Sequence, residues 1–398
     1  MATPSRESAK EIALFVFIDA LGWQLLLRNP EFLAEELPHR SRLESIFGYS
    51  STCDPTILTG LMPEDHGHFS FFVYDPAKSP FGLCRWLRFL PKSITSRGRV
   101  RRLMSRGIRR LYGFTGYFQI YNMPFDKLPL FDYSEKRDLY QPGGINSGAR
   151  TIFDDLRARG LPFHLSDWRA GEESNVETLE RALSTGGPRF AYLYLAAMDA
   201  ILHADGTDSA RVRAKLEWYA RRLRGLLQVA RRQYSAVRLY VFSDHGMTDV
   251  RETCDLIPRI EATGLVFGRD YAAVYDSTMA RFWFLSNGSR EKIEAALAAE
   301  PRGRILTEDD LAVFRCRFQN QRYGHLFFLL DPGVLLCPSF LGEKPLAGMH
   351  GYTPADKDTD AAFLTNVELP ETPRRLDDLY GLMLREAERI AGGEGADG

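Results

Sequence analysis

The stretch IALFVFID, residues 12–19, sets seven apolar residues in succession and closes them with an aspartate. A strand with one face in water alternates apolar and polar residues, whereas a strand covered on both faces has no need to. Its length and its terminal acid make it a buried strand rather than the core of a secretory leader. Three further segments share this form: RFAYLYLAAMD (189–199), RLYVFSDHG (238–246) and the weaker PFHLSDW (162–168). Helical patterns separate them at 147–160, 174–185 and 208–233. Buried strands alternating with helices predict an α/β fold, with a mostly parallel central sheet flanked by helices. Sites in such sheets form at the carboxyl ends of strands. Asp19, Asp199, Asp244 and His245 fall at those ends.

Two regions interrupt the alternation and read as inserted cap segments in a single catalytic domain over residues 1–398. Residues 76–148 are rich in arginine and aromatic residues. Residues 265–340, with ARFWFLS and HLFFLL, form a β-rich subdomain, and the core resumes at GMHGYTP. The bulk numbers agree with a large-cored globular chain: 398 residues, 44% hydrophobic, 26% charged, formal net charge −1. That balance excludes a polyanion binder by whole-chain composition. The five cysteines are scattered, odd in number and without a CxxC pair, which points to a reducing compartment rather than a disulfide framework. A cytoplasmic location is therefore expected, and the tail AGGEGADG reads as disordered.

The chemistry-bearing residues are individually weak and jointly informative. Asp19 alone suits a turn or cap. MDAILH spaces Asp199 and His203 four apart, on one helix face. SDHG sets Asp244 beside His245, and His350 lies between glycines in a late loop. Together three aspartates and three histidines make a mixed oxygen and nitrogen set of the kind zinc and manganese accept. Six ligands exceed one tetrahedral zinc and suit two divalent ions. FGYSSTCDPTILTGLMPEDHG (47–67) then matters, because it offers three hydroxyls at Ser50, Ser51 and Thr52. A helix starting near Asp54–Pro55 would place either serine at its N-terminal side, where an anion is favoured.

FIDALGW, GYSSTCDPTILTGLMPEDHG, YLAAMDAILHADG, VFSDHGM and GMHGYTP, taken in order, span residues 15–353. This series resembles the alkaline phosphatase superfamily, and most of all its nucleotide pyrophosphatase/type I phosphodiesterase branch. The resemblance implies an alkaline-phosphatase-like fold and a metal-dependent phosphoester hydrolase, of phosphodiesterase or pyrophosphatase type. It also implies a nucleophile nine residues before the Thr of the TG pair, which from Thr59 is Ser50, with Ser51 next in line. Asp199, His203 and His350 would hold the ion facing the leaving oxygen. Asp19, Asp244 and His245 would hold the ion that Ser50 binds. Reaction would pass through a phosphoserine and then hydrolysis by water. The ions implied are zinc first and manganese second. The substrate implied is a small phosphorylated molecule of nucleotide, sugar-phosphate or lipid-phosphate type. A phosphomonoesterase of the same superfamily, or a non-catalytic member that binds a phosphorylated ligand, are the alternatives. A sulfatase is disfavoured because no C/S-x-P-x-R context follows Ser50, and a phosphoglycerate mutase because the nucleophile region and insert differ.

The branch often carries an Asn shortly after the HG pair, to bind a phosphate oxygen. Here HGHFSFFVYD has Ser70, Phe71 and Phe72 there, so another donor is expected, such as an arginine of the insert. Within that insert the stretch from Cys84 to Phe118 holds Arg85, Arg88, Lys92, Arg97, Arg99, Arg101, Arg102, Arg106, Arg109 and Arg110 without an acid, interleaved with Trp86, Leu103, Leu111 and other apolar residues. One reading is a solvated cap whose arginines pair with acids elsewhere. The other is an anion-attracting wall, gripping substrate or resting on an anionic membrane at its inner surface. No nucleic-acid module accompanies the charge, so nucleic acid is not the expected partner.

Overall fold

The computed structural model describes residues 10–89 and 97–392, and the side chains of 87–89 are not part of that description. Leu90 and Lys92 of the insert, the side chains of Leu87, Arg88 and Phe89, and the tail from 393 onward lie outside the described residues. The run 12–19 is the strand Glu11–Ile18, at the middle of a six-stranded sheet. The strand order is His39–Leu43, Ala361–Thr365, Ala236–Phe242, Glu11–Ile18, Phe190–Leu195, Phe163–Leu165. The last four run parallel, and Ala361–Thr365 is antiparallel to both its neighbours.

The unbroken apolar run follows from this position. Ile12, Leu14, Val16 and Ile18 face a cluster with the helices Glu172–Ser184 and Ala210–Gln233. Ala13, Phe15 and Phe17 face the other way, onto Ile57, Phe153 and Leu382 of three further helices. Phe15 stacks on Tyr240 at 4.6 Å and on Phe190 at 4.9 Å between ring centroids. Full burial of such side chains contributes roughly 1.5–3 kcal/mol each.

Several boundaries differ from expectation. The strand expected over 189–199 stops at Leu195, and Ala197–Asp205 is helix, so Asp199 sits in a helical first turn and not on a strand. The helix expected over 147–160 spans Ile152–Ala158. A reciprocal cap sets its start: Thr151 and Asp154 each accept the other's backbone N–H. The helix expected near Asp54–Pro55 begins at Ser50 and runs to Thr59 with Pro55 inside it. Proline cannot donate inside a helix, but the Thr59 hydroxyl donates to the Pro55 carbonyl at 2.6 Å, which binds the turn beyond the proline.

A second, antiparallel sheet comprises Tyr271–Tyr275, Met279–Phe284, Leu326–Leu330 and Gly303–Ile305. One of its faces packs with the hairpin Phe72–Tyr74/Phe131–Tyr133 and with Met104 and Ile108 of the arginine-rich helix Gly98–Tyr112. Its other face meets Phe47, Tyr49 and Phe69, beside the start of the Ser50 helix. Among the described residues, no helix is long and apolar enough to cross a membrane.

Candidate active site

Three adjacent parallel strands deliver most of the site. Asp19 follows Ile18, and Asp244 and His245 follow Phe242 by two and three residues. The third strand leads into the helix that carries Asp199 and His203. His350 arrives from the bridge Gly348–Met349, which pairs with Thr248–Asp249 just past the second strand end. Asp19, Asp244 and His245 form one group and Asp199, His203 and His350 another, the ligand atoms of each lying within 4.8 Å of one another. The groups adjoin: the His245 and His350 rings stack at 3.7 Å, inclined by 10°.

The donor atoms are oriented from behind. The Nδ1 atoms of His245 and His203 each lie 2.8 Å from a carbonyl, Gly246 and Gly348 respectively. A proton fixed there leaves each Nε2 lone pair free for an ion. Asp244 accepts the Ala20 and His245 amides on Oδ1. Its Oδ2 is buried and forms no hydrogen bond, and the same holds for Asp19 Oδ1, Asp199 Oδ1 and His350 Nδ1, although His245 Nε2 lies 3.0 Å from Asp244 Oδ2 and His203 Nε2 3.2 Å from Asp199 Oδ1. Buried polar atoms that form no hydrogen bond are rare, and four of them within two ligand groups, with imidazole nitrogens facing carboxylates, fit a pair of cations.

The electrostatics agree. Burial pushes the Asp19 carboxyl well above its usual range, and Asp244, Asp199 and Asp54 push it further. Burial would lower His245, yet Asp244 and then Asp199 outweigh it and push it up to about 9. Burial and the neighbouring His245 press His350 well below its ordinary value. Crowded carboxylates with too few cationic partners describe a place for divalent charge.

Ser50 opens its helix, and its Oγ lies 3.1 Å from His245 Nε2. The Ser51 and Thr52 hydroxyls both turn to the Phe69 carbonyl, at 3.2 and 2.6 Å. No side chain caps this helix start, an arrangement that favours an anion there. The segment around Ser50 is braced on three sides. The neighbouring Tyr49 hydroxyl bonds Thr278 of the second sheet at 2.8 Å, and Thr278 in turn donates to the Gly351 carbonyl beside His350. Gly351 has φ 87°, and a Cβ there would meet the Tyr49 ring at 2.6 Å, so glycine is required. The short helix Pro63–His66 that follows holds this helix as well, His66 Nε2 lying 3.0 Å from the Thr56 hydroxyl.

A cleft of about 870 Å³ opens over these groups. Phe71, Tyr117 and Tyr121 form an aromatic wall, with Phe71 stacked on Tyr121 at 5.5 Å. Arg109, Arg169 and Lys344 reach the same cleft. Ser70, in the neighbourhood where the branch often carries an Asn, is engaged by the buried Arg281–Asp276 pair. Four acids beyond the expected ligands line the cleft, Asp54, Glu135, Asp138 and Asp276, and two of them stand out. Asp54 is one helical turn beyond Ser50, and Glu135 has an unpartnered buried Oε1. Burial raises both, with Asp244 adding to Asp54 and Asp54 to Glu135. The four-residue spacing from Ser50 was a usable signal for Asp54. Glu135 had none, since it reaches the cleft only through tertiary packing.

A sequence profile for the family described as "Type I phosphodiesterase / nucleotide pyrophosphatase" matches residues 13–353. A comparison with curated proteins returns no match. Among solved structures, human ectonucleotide pyrophosphatase/phosphodiesterase 5 superposes with a TM-score of 0.66 at 17% identity, covering 95% of each chain. An inactive variant of the murine protein of the same name, in complex with AMP, gives 0.67 at 17% identity and the same coverage.

Proposed function

The chain belongs to the type I phosphodiesterase/nucleotide pyrophosphatase family, a family of phosphoester hydrolases of metalloenzyme type, and from that premise we propose that it cleaves a phosphodiester or pyrophosphate through a covalent phosphoserine on Ser50 at a two-ion centre. The observation that carries this reading is the Ser50 hydroxyl beside His245, at the seam where the two ligand groups meet.

Asp19, Asp244 and His245 would hold one ion together with Ser50, and Asp199, His203 and His350 the other. Zinc suits the nitrogen and oxygen donors best, with manganese second. Bound ions would lower the pKa of the Ser50 hydroxyl, neutralise the phosphoryl group and stabilise the leaving oxygen. Ser50 Oγ forms a bond to phosphorus as the bond to the leaving alcohol or phosphate breaks. Water then attacks the phosphoserine and restores Ser50. The helix start favours the charge that gathers there. Arg109 fits the role of the phosphate-binding arginine expected from the insert.

The aromatic wall supports a nucleotide-type substrate, since Phe71, Tyr117 and Tyr121 offer flat faces to a base. A cleft of about 870 Å³ exceeds what a bare phosphate needs, which favours a diester over a monoester. Five free cysteines, four of them buried, support a reducing compartment such as the cytoplasm.

Elemental analysis and turnover of nitrophenyl diester and monoester substrates test the reading together. It expects close to two divalent ions per chain, activity abolished by chelation, and faster diester turnover. Full activity in metal-free protein would overturn it, and faster monoester turnover would shift it to a phosphatase.

A further inference from the structure

The helix Gly98–Tyr112 carries six arginines and no acid, in a stretch with no Asp or Glu between Asp75 and Asp126. It packs inward through Met104 and Ile108, while Arg101 binds the carbonyls of Tyr121 and Met123. Its outer side is different. Leu103 is 70% exposed and Leu111 69%. They lie two turns apart with Gly107 between them, where a Cβ would meet no atom within 4 Å. The turn Gly82–Phe89 enters the same core cluster through its buried Cys84, and it presents Leu83 at 71% and Trp86 at 68% exposure.

Arg99, Arg102, Arg106, Arg109 and Arg110 belong to the helix that carries this apolar strip. Elsewhere on the surface Arg150, Arg211, Arg224 and Arg304 each sit on a carboxylate. Among the described residues, Arg99, Arg102, Arg106, Arg109 and Arg110 form no ion pair. Among the described residues, then, no acid neutralises these outer arginines.

We propose that this face docks on an anionic lipid bilayer. Leucines and a tryptophan that project beside free arginines suit an interface, with the apolar groups at the acyl boundary and the guanidinium groups among the headgroups. Two other occupants fit less well. A second copy would set an acid-free arginine helix against its like. A nucleic acid would leave Leu83, Leu103 and Leu111 without an apolar partner. Arg109 lines the cleft and belongs to the same helix, so docking brings the mouth of the active site to the membrane surface.

Vesicle flotation of the full chain tests this, with phosphatidylcholine alone or mixed with phosphatidylserine. Flotation is expected only with the mixed vesicles and is expected to fade as salt rises. Arg99→Ala/Arg102→Ala/Arg106→Ala is expected to weaken binding by about two orders of magnitude. Leu103→Glu/Leu111→Glu is expected to weaken it by about tenfold or more, with turnover of a soluble ester unchanged. No flotation with mixed vesicles, equal flotation with neutral ones, or a leucine variant that floats like wild type would each overturn the proposal. Self-association that these variants abolish, without vesicle binding, would assign the face to a second copy instead.

Discussion

Ser50 and Ser51 are neighbours with the same functional group, and the fold separates them. One hydroxyl meets His245, and the other is held by the Phe69 carbonyl. Ser50→Ala is expected to lower kcat by about three orders of magnitude or more, about 4 kcal/mol of barrier, with metal content unchanged. Ser51→Ala should remain within about tenfold of wild type, since it loses one ordinary hydrogen bond. Steady-state kinetics with elemental analysis of each variant checks both. Tyr49 acts through Ser50 as a positioning residue. Tyr49→Phe leaves the Thr278 amide, now bonded to the Tyr49 hydroxyl at 3.1 Å, without its partner. It should cost about 1–3 kcal/mol in denaturant titration and lower kcat more than it raises KM. The choice between the two serines was open in the residues themselves and closed only through the family spacing from Thr59. The Tyr49–Thr278–Gly351 brace was not legible, because its two bonds join residues 229 and 73 positions apart.

At the scale of elements, legibility tracked burial. Glu11–Ile18 was plain because two covered faces leave no polar position within the run. His39–Leu43 was missed: HRSRL is a polar edge strand with only Leu43 buried, and it pairs antiparallel with Ala361–Thr365. The overrun of 189–199 has a similar cause. The apolar residues continue from strand into helix, and Met198 remains core while the backbone changes geometry. Phe15→Ala in the central strand should destabilise by about 3–5 kcal/mol, read as a lower urea midpoint. The two stacked partners it abandons, Phe190 and Tyr240, are themselves buried and cannot relax into solvent.

Across the whole molecule, the site depends on two sheets remaining in register, because one supplies the ligands and the other anchors Tyr49. A buried clamp at the far side of the second sheet makes that dependence sensitive to acid. Arg302, aided by Arg259, holds the Glu300 carboxyl down to about 2 from an ordinary 4.5. Arg302 also bonds the Thr253 carbonyl, linking the sheet to the strand Glu252–Cys254. A depressed acid stabilises fully above its unfolded value. As pH falls from about 4.5 toward about 2, the unfolded chain takes up the proton first and that stabilisation disappears. Wild type should therefore exceed Glu300→Gln in melting temperature at neutral pH, and the gap should close as the solution is acidified through that window. A constant gap would show that the carboxylate charge does not matter there.

The central claim is that the substrate phosphoryl group passes through Ser50, and trapping that state is the most direct measurement. Turnover of a phosphodiester is quenched in acid, the chain is digested, and the peptide containing residues 47–60 is sequenced by mass spectrometry. The account predicts a phosphoryl adduct on Ser50, present also in Ser51→Ala and absent from Ser50→Ala. An adduct on Ser51, or turnover by Ser50→Ala at the wild-type rate, would contradict it.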